Sequence, residues 1–137
     1  MHPIERLYNR TYKIHNRLPN WTHHCTALTH SNALTFTNYT RLQSLKLFHQ
    51  IKTKRLPTII SSLIPTQNQI HTRITRSATQ GQIRVPKHKN SYGTHAYIRK
   101  SILIWNKIPL QIRTATSVTQ FKRQYTQFLK TNQSCTH

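Results

Sequence analysis

Nearly all charged side chains of this chain are positive, and this imbalance limits both the folds and the reactions open to it. The sequence has 21 Lys and Arg against a single acidic residue, Glu5, and it contains no Asp. Self-repulsion at a net charge of +20 on 137 residues works against a compact isolated state. Two-metal phosphoryl transfer, glycoside hydrolysis and aspartic proteolysis need several carboxylates, which one Glu cannot supply. We therefore expect a polyanion partner, such as RNA, DNA or an anionic membrane surface, and no catalysis from this polypeptide alone.

The composition also predicts a thin core. Hydrophobic residues make up 35% of the chain, below the roughly 45–50% usual for globular domains on a count that includes Gly. Marginal folding is expected unless a polyanion or a larger protein covers the surface. The excess of positive charge also has an explanation that involves no function. The residues whose codons begin with G (Gly, Ala, Val, Asp and Glu) are all scarce, which indicates a bias in the coding sequence. Drift towards a G-poor coding strand would replace Glu by Lys or Gln without selection for nucleic-acid binding.

Hydrophobic periodicity predicts a mainly α fold of about five helices in two small helical subdomains, with at most a short β strand near residue 84. The predicted helices cover residues 3–18, 38–52, 57–64, 96–106 and 117–130, and residues 20–37 are predicted as an irregular loop. Asn38 is the expected N-cap of the second helix, and Ser117 with Gln120 makes a capping box for the last one. The predicted domains are a helical segment over 1–65, a polar linker over 66–82, a basic helical segment over 83–131 and a disordered tail over 132–137.

Basic residues interleaved with an aromatic residue are concentrated in the second half of the chain. Lys and Arg release counterions from phosphates, and a Tyr ring can stack on an unpaired base. The alternative is a solvated basic surface with Tyr92 in the core. The predicted nucleic-acid-binding residues are Arg73, Arg76, Arg84, Lys87, Lys89, Tyr92, Arg99 and Lys100.

The spacing of the histidines and cysteines does not match that of a typical structural zinc site. The densest group is His23, His24, Cys25 and His30, but the chain has no C-x-x-C and no second close ligand pair. Cys25 and Cys135 lie far apart and provide no disulfide framework. The two glycines, Gly81 and Gly93, cannot build a Gly-rich phosphate loop. We therefore expect no metal, no cofactor and no catalytic residues.

Three stretches of the second half share their order with a known family. They are TRSATQGQIRVPKHKNSYGTHAY, then LIWNKIP, then SVTQFKRQYTQFL. This order resembles the C-terminal tail of non-LTR (LINE-type) retrotransposon reverse transcriptases, and the resemblance covers roughly residues 4 to 130. The first half, with its RLYNR and SLKLFHQI stretches, is similar to the segment just upstream in the same polyproteins. The matched residues are Thr75, Arg76, Ala78, Tyr92, Gly93, Ile104, Trp105, Asn106, Ile108, Pro109, Phe121 and Lys122.

The resemblance implies the thumb and post-thumb region of such an enzyme, so residues 1–65 would be thumb-like. That region would hold template and primer, whereas the catalytic aspartates of the palm and the endonuclease are absent here. The sequence departs from the family in lacking the usual Gly-Pro before the Trp-Asn element. It also carries Lys54 where the family has Gly, and Gln111 where it often has Glu.

The resulting hypothesis is a non-catalytic fragment that binds RNA or DNA backbone non-specifically and in a salt-sensitive way. The rest of a reverse-transcriptase polyprotein is a further expected partner, and a nuclear or cytoplasmic ribonucleoprotein is the expected setting. No stretch approaches the roughly 18 apolar residues of a membrane span, so no membrane partner is expected. The alternatives are a decayed open reading frame without function, a small basic structural protein of an RNA-rich particle, and a metal-dependent binding module.

Overall fold

The fold was analysed in a computed structural model, which describes residues 2–62, 64, 82–87 and 89–133. This part of the chain is mainly helical, as predicted, and contains eight helices and no β strand. The helices are α1 (Pro3–His15), α2 (His24–His30), α3 (Phe36–Lys52), α4 (Thr58–Ser61), α5 (Ser91–His95), α6 (Tyr97–Asn106), α7 (Leu110–Arg113) and α8 (Val118–Thr131). None of these helices is both long and apolar enough to cross a lipid bilayer.

The chain divides into two compact units that do not follow its order in sequence. Unit 1 combines Met1–Leu42 with Tyr125–His137, and unit 2 is Gln43–Gln124. Within unit 1, Gln133 accepts a hydrogen bond from the Thr35 N–H at 3.1 Å, so this residue of the predicted tail has a defined partner. Residues 134–137 lie outside the described residues. So do all residues of the predicted linker except Gln82, and the linker stays a prediction.

The segment predicted as a loop over 20–37 contains a helix, α2. Cys25, Ala27 and Leu28 are buried on one side of it. Its N-cap is His23, whose Nδ1 accepts a hydrogen bond from the Cys25 N–H at 3.3 Å. Histidine is not among the residues usually expected at an N-cap, and the helix is only seven residues long. The prediction of a loop was therefore wrong because both sequence signals were weak.

Three helices end in the same hydrogen-bond pattern, the Schellman motif. In each, a residue with positive φ follows the C-cap, and the next N–H returns to a carbonyl of the last turn. The residues with positive φ are Arg17 (53°), Asn32 (51°) and Lys54 (54°). Glycine usually occupies this position because a Cβ atom is disfavoured there. Helix α1 ends at His15, three residues before the predicted end, because Arg17 adopts the conformation with positive φ.

Helix α3 begins two residues earlier than predicted. Thr35, not Asn38, caps it, because the Thr35 Oγ1 accepts a hydrogen bond from the Asn38 N–H at 3.4 Å. The prediction for α8 is confirmed, since the Ser117 Oγ accepts from the Gln120 N–H at 3.1 Å. The Gln120 side chain returns to the N–H of Thr116 at 3.4 Å, one residue before the cap.

Candidate nucleic-acid interface

Unit 2 is built around four buried rings. Phe48 and His49 come from α3, Trp105 from α6 and Phe121 from α8, and each is at most 1% exposed. The ring centroids of Trp105 and Phe121 lie 5.5 Å apart, and those of His49 and Phe121 lie 4.8 Å apart in a stacked arrangement. Aromatic pairs at these distances contribute packing energy beyond the area they bury.

Residues 82–87 are held to α6 by one side chain and do not form the predicted short strand. The Asn106 side chain donates to the Ile83 carbonyl at 2.7 Å and accepts from the Ile83 N–H at 2.9 Å. The amide therefore satisfies both polar groups of one residue, as a neighbouring strand would. Ile83 itself is buried, and its neighbour Arg84 is exposed.

Most of the predicted binding residues that the structure describes are accessible. Arg84, Lys87, Lys89 and Lys100 are exposed, whereas Arg99 is half-buried and interacts within the fold. The remaining predicted cations, Arg73 and Arg76, lie outside the described residues.

Tyr92 is 87% exposed, so the alternative that placed it in the core is wrong. It belongs to the short helix α5. The Asn90 side chain caps that helix by accepting a hydrogen bond from the Gly93 N–H at 2.9 Å. An exposed ring on a capped turn is available for stacking.

Unit 2 also contains a group of cations in which the structure adds Arg113 to Lys52 and Arg55, two cations that are close together in sequence. We call it the basic cluster. The Lys52 ammonium group lies 4.9 Å from the centre of the Trp105 ring. The Arg55 guanidinium donates to the carbonyl of Thr116 at 3.3 Å, and Arg113 is buried three residues before that carbonyl. Residues that are 61 positions apart in sequence thus meet at the connection between α7 and α8.

Within the basic cluster, the positive charge of Arg113 opposes that of Lys52. Partial burial of the ammonium group lowers the pKa of Lys52, and the nearby Arg113 lowers it further. Burial also lowers the pKa of Arg113, which remains charged at neutral pH because an arginine pKa starts so high. The sequence of unit 2 contains no Asp or Glu, so no acidic side chain within the unit can neutralise these cations.

His49 is kept neutral beside this cluster. Burial lowers its pKa, and the charges of Lys52 and Arg55 act in the same direction, against a hydrogen bond to the Ala115 carbonyl that raises it. The Nε2 atom lies 2.9 Å from the Ala115 oxygen, which can only accept, so Nε2 carries the proton. Among the described residues, the buried Nδ1 has no hydrogen-bond partner.

Several of the residues that carry the family resemblance are among the described residues of unit 2. Trp105 and Phe121 belong to the buried rings, and Asn106 holds Ile83. Pro109 precedes α7, and its carbonyl accepts from Ile112 and Arg113. Lys122 is exposed on α8.

The group predicted as the densest set of metal ligands is assembled locally. Ligand atoms of His23, His24 and Cys25 lie within 4.8 Å of one another. However, the His23 Nδ1 accepts the capping hydrogen bond of α2. Cys25 is disulfide-bonded, so the expectation of no disulfide, drawn from the wide spacing of the cysteines, was wrong, and its sulfur is not a thiolate. His23 and Cys25 thus have roles in local structure, and the group gives no support for a metal site.

The chain was also compared with known proteins. No protein-family model, no curated protein and no solved structure matches it. The likeness to LINE-type reverse transcriptases therefore rests on the motif residues described above.

Proposed function

We propose that this protein binds the phosphate backbone of RNA or DNA through unit 2 and has no catalytic activity of its own. It would act as the thumb and post-thumb region of a LINE-type reverse transcriptase does, as a holder of template and primer. The observation that carries the proposal is the crowding of Lys52, Arg55 and Arg113 in a unit without acidic side chains. Cations placed together at a partly desolvated position destabilise the free protein, and a bound anion relieves that cost.

Other exposed residues of unit 2 suit a polynucleotide better than a small anion. Arg84, Lys87 and Lys89 are further exposed cations of unit 2, and Asn106 holds the neighbouring Ile83 in place. Each phosphate neutralised releases counterions, which gives affinity without sequence preference. The exposed Tyr92 ring adds a surface for an unpaired base, and stacking of this kind is tolerant of sequence.

The conformation of Lys54 supports the proposed kinship. The family has a glycine at this position, and Lys54 adopts a positive φ of 54°, which favours glycine. The backbone at residue 54 has a conformation that favours glycine, although the residue is lysine. This is what we expect if the chain descends from an ancestor with glycine at this position. The chain would then be the C-terminal part of a larger polyprotein, with the chemistry located in the parts that precede it.

The test is the salt dependence of binding to a labelled single-stranded RNA of about ten nucleotides, a length within the range of single-strand binding sites. We expect affinity to fall steeply with salt. The double variant K87Q/K89Q should reduce the slope of log affinity against log salt by roughly 1.4, since each single-strand phosphate contact contributes about 0.7. The control K107Q/R123Q removes the same charge from two exposed positions outside the proposed surface and should keep the slope of the unmodified protein.

Two results would contradict the proposal. Affinity that stays constant from low to high salt would exclude backbone binding. Equal loss in the two double variants would show that the charge acts diffusely and that unit 2 has no defined surface. A chain that shows no cooperative unfolding and binds no RNA would support the decayed reading frame instead, and co-purification with one defined RNA at equal stoichiometry would favour a structural protein of an RNA-rich particle.

A further inference from the structure

Unit 1 contains an open cleft of about 530 Å³ beside α1. Its lining residues are Arg6, Asn9, Arg10, Lys13, Asn20 and His24. Arg6, Arg10 and Lys13 follow one another at positions i, i+4 and i+7, so the helix places all three on one face. Among the described residues, the lining carries three permanent positive charges and no carboxylate.

The far side of the cleft is formed by a turn that is tied to α1. The Lys13 ammonium group donates to the Asn20 carbonyl at 2.8 Å. The turn itself is closed by a hydrogen bond from the Thr22 N–H to the Pro19 carbonyl at 3.0 Å. These contacts keep cations and turn together, so the cleft is a feature of the folded unit rather than a chance grouping of long side chains.

Trp21 lies on this turn, directly after Asn20, and is 88% exposed. A tryptophan is rarely left so open, because burying its ring is strongly favourable. The other tryptophan of the chain, Trp105, is completely buried. An exposed indole next to a cationic cleft combines the two components of single-strand binding sites, which are a charged groove for the backbone and an aromatic ring for a base.

We propose that this cleft binds a backbone phosphate of single-stranded nucleic acid and that Trp21 stacks on an adjacent unpaired base. The inference extends the nucleic-acid binding proposed above to a second surface, and it rests on residues of unit 1 alone. A duplex offers the same phosphates, but its bases are already stacked and paired. The cleft should therefore prefer a single strand.

Tryptophan fluorescence tests this directly, because Trp21 is the solvent-exposed emitter and Trp105 is shielded. Titration of the full chain with an oligothymidylate of about ten nucleotides should quench the Trp21 emission in a saturable way. A duplex of the same length should produce little quenching. Trp21→Ala should abolish the signal and weaken single-strand binding, measured by anisotropy, by about tenfold.

The charge variants separate this site from the one on unit 2. R6Q/R10Q should shift the quenching to about tenfold higher oligonucleotide concentration, whereas K107Q/R123Q, which removes equal charge elsewhere, should leave it in place. K87Q/K89Q should reduce overall affinity and still permit Trp21 quenching. If the oligonucleotide binds with unchanged Trp21 emission, or if quenching by single strand and duplex is equal, the cleft proposal fails while the proposed function of unit 2 stands. Quenching that survives in R6Q/R10Q at the original concentration would also overturn it.

Discussion

Asn106 and Ile83 are joined by two hydrogen bonds, one in each direction, although they are 23 positions apart in sequence. The amide of a single side chain thus gives the backbone of residue 83 what a partner strand would give it. This explains how the polar backbone groups of Ile83 are satisfied although residues 82–87 form no strand. It also provides a physical reason for an asparagine directly after Trp105.

The pair predicts a large effect of Asn106→Ala on stability. The substitution leaves the N–H and carbonyl of the buried Ile83 without partners, and each unsatisfied group costs about 1–3 kcal/mol. We expect the free energy of unfolding in urea to fall by at least about 2 kcal/mol. The control is Lys107→Ala at the next, exposed position, which should change it by less than about 0.5 kcal/mol. Equal values for the Asn106 variant and the unmodified protein would show that the two hydrogen bonds do not stabilise the fold.

The positive φ of Lys54 predicts that Lys54→Gly stabilises the protein. A residue with a Cβ atom costs roughly 1–2 kcal/mol in the left-handed conformation, and part of this is offset by the greater freedom of glycine in the unfolded chain. The expected gain in the free energy of unfolding is about 1 kcal/mol. Lys46→Gly provides a matched control, because the same change inside α3 should lose about 1 kcal/mol. A decrease in the free energy of unfolding in both variants would refute the idea that the positive φ of Lys54 destabilises the protein.

The environment of His49 predicts a pH-dependent stability. Its pKa in the folded protein is lowered from 6.5, so the unfolded chain takes up a proton first as the pH falls. The stability associated with neutral His49 is fully present above about pH 6.5 and is lost as the pH falls towards the folded pKa. Lys52 and Arg55 strengthen the effect, because a protonated ring would lie beside two cations.

His49→Gln isolates this contribution, because an amide N–H can still donate to the Ala115 carbonyl while the side chain no longer titrates. Between about pH 7.5 and about pH 5, the free energy of unfolding in urea should fall more in the unmodified protein than in the variant. His30→Gln, at an exposed position of α2, should keep the pH dependence of the unmodified protein. The same pH dependence in the His49 variant would mean that other groups control it.

Local sequence patterns were sufficient for the helical class and for the best-marked helix ends. The apolar stripe of α8 and its Ser117 cap involve residues three or four positions apart, so they can be recognised in a short window. Short helices with unusual caps were missed for the same reason. His23 carries no sequence signal as a cap, and Arg17 and Lys54 occupy positions where a glycine would usually mark the end of a helix.

The sequence by itself determined that this protein is cationic, mainly helical and short of carboxylates, because charge and periodicity are properties of the residues in order. Only the tertiary structure decided which cations act together. Lys52 and Arg113 come from helices far apart in the chain, and they meet because Phe48, His49, Trp105 and Phe121 pack into one core. The cleft beside Trp21 likewise depends on a turn that folds back on α1. The burial of apolar side chains brings together residues that are far apart in sequence, and nothing in the sequence marks these contacts. The candidate sites can therefore be identified only in the folded chain.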